Sequence, residues 1–176
     1  MTHRKTSGLT LIELMITIAV VGIMGLSIPH LSVLLIKQRL NANQNELRLF
    51  INRARLEALT RHQRITLCPL TSANFCQIDW TGELAIFVDG NGNRKLDVGE
   101  QLLHKTRLHP MIITRWSGMG RANSLHFSAQ GVTFVSNGTF NLCHPDHAET
   151  FRLIVNRQGR ARSERISQGC QGQPTT

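Results

Sequence analysis

Ser7-Gly8-Leu9-Thr10-Leu11-Ile12-Glu13-Leu14-Met15-Ile16-Thr17-Ile18-Ala19-Val20-Val21-Gly22-Ile23-Met24-Gly25-Leu26-Ser27-Ile28 decides how the rest of the chain is read. Met1 to Gly8 is polar and carries Arg4 and Lys5; from Leu9 the sequence turns abruptly apolar. Wound as a helix, the apolar run is about 30 Å long, the thickness of a bilayer core. The preceding positive charge predicts a cytoplasmic N-terminus, with the body of the protein across the membrane. A secretory signal peptide has a shorter apolar core and is cut after it. Here the cleavage site stands before the run, so the run is retained. A plain membrane anchor does not account for Glu13, because a carboxylate inside a membrane helix is costly and needs a reason. Cutting after Gly8 supplies one: the new α-amino group of Leu9 lies one helical turn from Glu13. In a helical stack of copies, the amine of one subunit can neutralise the carboxylate of the next.

Beyond the run, Pro29 predicts a kink or local melting of the helix, with Gly22 and Gly25 adding flexibility. Helical patterning resumes from about Ser32 to Arg61. Leu40, Leu47, Phe50, Ile51, Ala54 and Ala58 recur mostly at three- and four-residue spacings, while Arg48, Arg53, Arg55 and Arg61 are left to face water. From Arg64 the pattern changes to short β-type runs: Ile65–Leu70, Leu84–Val88, Gln101–Thr106, Met111–Trp116, Ser124–Phe127, Val132–Val135, Thr139–Cys143, Phe151–Asn156 and Arg160–Ile166. Gly, Asn and Pro punctuate them. The expected architecture is α+β, a long helix packed on antiparallel sheet.

Cys68, Cys76, Cys143 and Cys170 form an even set in a chain that reads as exported, which favours two disulfides. Four cysteines allow three pairings; the spacing favours Cys68–Cys76 as a local clasp and Cys143–Cys170 as a staple on the C-terminal end. Metal ligation by these residues lacks the paired Cys/His spacing it requires. The chain has 20 Lys+Arg against 11 Asp+Glu, a net charge of +9. That suits phosphate, anionic lipid or simple solvation equally. With no Tyr and only nine other aromatics (seven Phe and two Trp), a stacking platform for single-stranded bases is not expected.

Two segments mimic metal sites. Asp89-Gly-Asn91-Gly-Asn93-Arg94-Lys95-Leu96-Asp97-Val-Gly-Glu100 has the oxygen spacing of a calcium loop, but Arg94 stands where the turn glycine belongs. A polar hairpin loop explains the same residues. Cys143-His144-Pro145-Asp146-His147 reads more simply as a disulfide half followed by a turn. No spaced catalytic motif appears, so no enzyme, cofactor or small-molecule substrate is expected. The most informative late segment is Arg152-Leu-Ile-Val-Asn-Arg157-Gln-Gly159-Arg160-Ala161-Arg162-Ser-Glu164-Arg165, five arginines against one glutamate. Gly159 predicts a tight turn between two strands. Arg160 and Arg162 then share a strand face, and Arg157 and Arg165 are expected to join them in one basic hairpin. Such a hairpin presents guanidinium groups to adjacent phosphates, or merely solvates the surface.

Ser7-Gly8|Leu9-Thr-Leu-Ile-Glu13-Leu resembles the type IV prepilin cleavage motif: a short basic leader ending in Gly, an apolar new N-terminus and Glu at its fifth position. Leu9 stands where that motif more often has Phe. The resemblance implies cleavage and N-methylation by a prepilin peptidase in the inner membrane, and a type IV pilin-like fold. Its divisions would be a leader over 1–8, a transmembrane, filament-core half-helix over 9–31, an amphipathic half over 32–63 and a β-rich head over 64–176. The Trp80 and Leu84–Asp89 segment, the Asn-rich turn and the Cys143 to Cys170 span resemble FimT- and GspH-like minor pilins and pseudopilins. Gly159-Arg160-Ala161-Arg162 is similar to the Gly-Arg-x-Arg motif of FimT-like minor pilins implicated in DNA capture. That likeness implies Gly159 for the turn and Arg160 and Arg162 for contact with double-stranded DNA; other pilin subunits would be the remaining partners. Structural membership of a type II secretion system is the competing expectation. A pilin-anchored enzyme or calcium-dependent module is a third.

Overall fold

The structure is a computed structural model that describes residues 10–119 and 123–170, and of residues 24–31 the backbone alone. The Gly8–Leu9 junction lies outside the described residues. Two compact units divide the chain, one up to Leu35 and one from Ile36 onward.

A single helix, α1, runs Leu11–Arg61. Thr10 caps it, its carbonyl accepting from the N–H groups of Glu13 and Leu14 at 3.1 and 3.2 Å. His62, in the left-handed region at φ 53°, ends it. Helix persists through Pro29, so the expected local melting does not occur there. Apolar side chains from Leu11 to Ile23 are exposed in the single chain. Among the described residues no helix is long and apolar enough to cross a membrane. Part of the expected span falls on Leu9 and on the side chains of 24–31, outside that description.

In the second unit the expected stripe is buried: Leu40, Leu47, Phe50, Ile51, Ala54 and Ala58 all enter the core, and Arg48, Arg53 and Arg61 face solvent. Arg55 departs from that reading. It is partly buried, and its Nε donates to the Gly131 carbonyl at 3.0 Å.

Two four-stranded antiparallel sheets complete the fold where the sequence pattern had distinguished only one kind of sheet. The first comprises β1 (Ile65–Cys68), β2 (Glu83–Val88), β3 (Leu102–Arg107) and β5 (Leu125–Phe127), in the order β3-β2-β1-β5. The second comprises β4 (Ile113–Gly118), β6 (Gly138–Cys143), β7 (Thr150–Val155) and β8 (Ala161–Ile166), in the order β4-β6-β7-β8. Eight of the nine expected strands are present within a few residues. The ninth, Val132–Val135, is a loop: its β-branched and aromatic residues look strand-like, but Phe134 adopts φ 41°, which an extended strand excludes.

Helix and sheets share one apolar core, joining Leu47, Ile51 and Ala58 to Ile65, Leu67, Ile86, Phe127 and Leu153. An aromatic cluster of Trp80, Trp116 and Phe140, with ring centroids 4.2 to 6.0 Å apart, fills one part of it. Trp116 lies over the cross-strand pair Gly118 and Gly138, where a Cβ on either glycine would collide with the indole or the facing backbone. Polar contacts fix the helix to the first sheet: Glu57 meets His104 Nε2 at 2.8 Å, and Thr106 Oγ1 donates to Glu46 at 2.6 Å. Both disulfides pair as the spacing favoured, Cys68 with Cys76 and Cys143 with Cys170.

Candidate functional site

Strands β7 and β8 form the basic hairpin at the free edge of the second sheet. Asn156 closes its turn. The Asn156 N–H donates to the Arg160 carbonyl at 3.1 Å, and the Arg160 N–H donates to Asn156 Oδ1 at 2.9 Å. The Gly159 N–H donates to the Asn156 carbonyl at 2.9 Å, and Gly159 takes φ 73°. A three-residue loop with glycine in the left-handed position matches the twist of the flanking strands. Glycine is needed for a second reason: a Cβ here would lie 2.5 Å from the Gly131 carbonyl oxygen and 2.9 Å from the Phe127 ring. The turn is thus seated on the body of the domain. Thr133 adds two further ties, from its N–H to the Arg157 carbonyl at 3.0 Å and from Oγ1 to the Asn156 carbonyl at 2.9 Å.

Arg157, Arg160 and Arg162 are exposed on this seated turn and at the start of β8. Among the described residues no carboxylate pairs with Arg157 or Arg160, while Arg162 meets Glu164 at 3.3 Å on the same strand face. An exposed pair of that kind contributes little and exchanges readily for another anion.

Arg165 does not join the cluster. Register places Phe151 opposite Arg165 and Ile154 opposite Arg162, so the two arginines project from opposite faces of β8. The Arg165 guanidinium stacks on the Phe151 ring, 4.9 Å from its centroid. Sequence parity held this signal, since 165 differs from 160 and 162 by an odd number. Arg152, counted in the segment, was not assigned to the contact set, and Arg115 was not singled out at all. Arg115, Asn141, Arg152 and Glu164 lie in register across β4, β6, β7 and β8, sharing the outward face with Arg162. Only strand pairing brings Arg115 to that row, and nothing local in the sequence announces it.

The two metal-like segments are taken up by their own contacts. Asp97 accepts from Asn91 Nδ2 at 3.0 Å, Asn93 Nδ2 at 2.6 Å and Lys95 Nζ at 3.2 Å. These donors, Asn91 first, hold the Asp97 carboxyl below its ordinary range. Glu100 accepts from the backbone N–H groups of Gly90 and Asp97. Asp89 is buried against Thr66 Oγ1 at 2.6 Å, facing the sheet. This is a self-closed polar loop with Arg94 in the left-handed turn at φ 63°. Cys143 is committed to its disulfide, and buried His144 uses Nδ1 to accept from the Asp146 N–H. Among the described residues no group of three His, Cys, Asp or Glu is placed to hold a metal ion.

Comparison with known proteins adds four findings. Residues 43–159 match the family model described as type II transport protein GspH, and residues 3–28 match the prokaryotic N-terminal methylation motif. The first match stops at Gly159, just short of Arg160 and Arg162. The chain is 32% identical to the pilin-like protein PilA1 of Thermus thermophilus over 169 residues, covering 89% of this chain and 97% of that one. Two crystal forms of the type IV minor pilin FimU from Pseudomonas aeruginosa share its fold at 22% identity. The P65 form gives a TM-score of 0.54 over 70% of this chain and 91% of FimU, and the P21 form 0.55 over 73% and 90%.

Proposed function

Since the chain belongs to the GspH family of pilin-like proteins and carries the N-terminal methylation motif that marks membrane-anchored, pilus-associated subunits, we propose that it is a minor pilin of a type IV pilus whose arginine hairpin binds double-stranded DNA for uptake. Proteins of this family are structural subunits rather than enzymes, and their partners are other pilins in the filament. In this reading a prepilin peptidase cuts between Gly8 and Leu9, and the apolar half of α1 first crosses the inner membrane with its N-terminus cytoplasmic. The head waits in the periplasm, and the same half-helix then packs the filament core with Glu13 aligned to the N-terminus of a neighbour.

One observation carries the DNA reading: Arg157, Arg160 and Arg162 stand exposed on a rigidly seated turn at a sheet edge, two of them with no acidic partner among the described residues. Guanidinium groups on such a turn reach adjacent phosphates without sequence preference. A few contacts per domain give binding on the order of micromolar or weaker, falling as salt rises. Several subunits along one filament raise the effective hold on a long duplex.

The test is a gel shift with duplex DNA at fixed salt. Arg160→Gln with Arg162→Gln should lose most of the affinity, and Arg48→Gln with Arg53→Gln, the charge-matched change on exposed helix positions, should lose much less. Equal losses would assign binding to overall basicity. Absence of binding at low salt would favour the second reading, a structural pseudopilin of a type II secretion system, which the description of the matched family itself supports. There the same hairpin would contact protein partners.

A further inference from the structure

We propose that Phe134 is a base-stacking element of the same surface, so that the hairpin region takes single-stranded DNA as well as duplex. This rests on the hairpin's reading as a DNA-binding surface. Seven of the nine aromatic residues are buried, and Phe75 and Phe134 are the exposed ones. Lys95 lies over the Phe75 ring at 5.0 Å. Among the described residues no ring or cation packs on Phe134, which is 62% exposed. Composition argued against a stacking platform for single-stranded bases; one exposed ring meets the need for a single base.

The loop that displays this ring is not loose. Buried Thr133 and Ser136 flank Phe134 and Val135. Thr133 ties the loop to Asn156 and Arg157 of the hairpin turn. Ser136 Oγ accepts from the His126 N–H at 3.0 Å and donates toward the carbonyls of His126 and Thr133 at 2.8 and 3.1 Å. Between these anchors Phe134 is held at φ 41°, a conformation that an aromatic residue adopts only at a cost. Strain retained at an exposed apolar side chain points to use of that side chain. The loop's attachment decides the occupant: Thr133, the residue before Phe134, is hydrogen-bonded to Asn156 and Arg157 of the turn that also carries Arg160, a positive setting suited to a phosphate backbone whose unpaired bases stack on aromatic faces.

The experiment uses the full chain in detergent micelles, titrated with fluorescent oligothymidine and with a blunt duplex at fixed low salt. Phe134→Asn removes the ring while suiting the left-handed backbone, so the melting temperature should not fall. It should weaken oligothymidine binding about tenfold and leave duplex binding unchanged. Phe134→Trp should keep binding, with indole emission quenched by oligothymidine and not by duplex. Unchanged oligothymidine affinity in Phe134→Asn overturns the stacking role. Wild-type binding to duplex alone does so too, and leaves the arginine reading standing. Binding to neither DNA removes both. Unchanged DNA binding with lost filament incorporation would make the loop a subunit contact instead.

Discussion

The Arg165 guanidinium lies 4.9 Å from the centroid of the Phe151 ring, on the face of β8 opposite Arg162. Arginine density in the segment therefore overstates the number of groups available to one ligand. Arg165→Gln should cost about 0.5–1 kcal/mol of stability, the worth of an exposed cation–π contact. It should change duplex affinity far less than Arg160→Gln. A gel shift and a thermal melt on the two variants check this, and equal affinity losses would place Arg165 back in the interface.

The two disulfides should contribute unequally. Cys68–Cys76 closes a loop of sequence separation 8, and Cys143–Cys170 one of 27. Chain-entropy arguments give about 2.5 kcal/mol for the first and about 3.5 kcal/mol for the second. The longer bridge also holds Gly169 against Ala148 and Thr150, through a Gly169 N–H bond of 2.8 Å and a Thr150 Oγ1 bond of 3.2 Å. Replacing Cys143 and Cys170 with Ser should lower the denaturation midpoint more than replacing Cys68 and Cys76. The reverse order would show that the local clasp, whose two cysteines are buried, Cys68 at the end of β1, carries packing that loop length does not describe.

How much of this was legible beforehand depends on how local each signal is. The helical stripe and eight strands are written in spacings of two to four residues, and the structure agrees with them; the N-terminal motif is one contiguous stretch, and the methylation-motif model matches it over residues 3–28. Val132–Val135 misled because residue type favours strand there while the Thr133 and Ser136 anchors impose a loop. The outward face shared by Arg115, Arg152 and Arg162 depends on strand register, which is a property of pairing across distant segments. Gly159 was legible as a turn, but its packing on Gly131 and Phe127 was not.

Acid should destabilise the domain in two windows, an upper one set by His126 and a lower one set by depressed carboxylates such as Glu57. Burial, aided by the charges of Arg64 and Arg94, pushes His126 from 6.5 down to about 4. The folded chain resists a proton that the unfolded chain accepts, so stability falls as pH drops from about 6.5 toward about 4. Glu57 is held below its ordinary 4.5 by hydrogen bonds from Arg61 and then His104. Its contribution is present above 4.5 and is lost as pH falls through the depressed folded value. His126→Gln should therefore flatten the melting temperature between pH 7 and about 5 while leaving the steeper loss below 4.5. Parallel wild-type and mutant curves across the upper window would remove His126 as the cause.

Processing at Gly8–Leu9 gives the last prediction, and the start of α1 sharpens it. The helix begins at Leu11 with Thr10 as its cap, so Glu13 sits in the first helical turn. Free N–H groups and the helix dipole favour a carboxylate there, but that benefit is local and available to any acidic residue in the turn. A filament role demands more: the Glu13 charge must meet the new α-amine of a neighbouring Leu9. Cleavage there would also remove Arg4 and Lys5, lowering the side-chain charge from +9 by two to +7 and leaving the mature chain basic. Mass spectrometry of filament-associated protein should find a chain beginning at Leu9, N-methylated. Glu13→Ala should be cut normally yet fail to enter filaments, because the peptidase reads the junction and assembly reads the carboxylate. Normal incorporation of that variant would reduce Glu13 to a helix-terminus residue, and a mature chain beginning after Ile28 would show that the apolar run is discarded rather than retained.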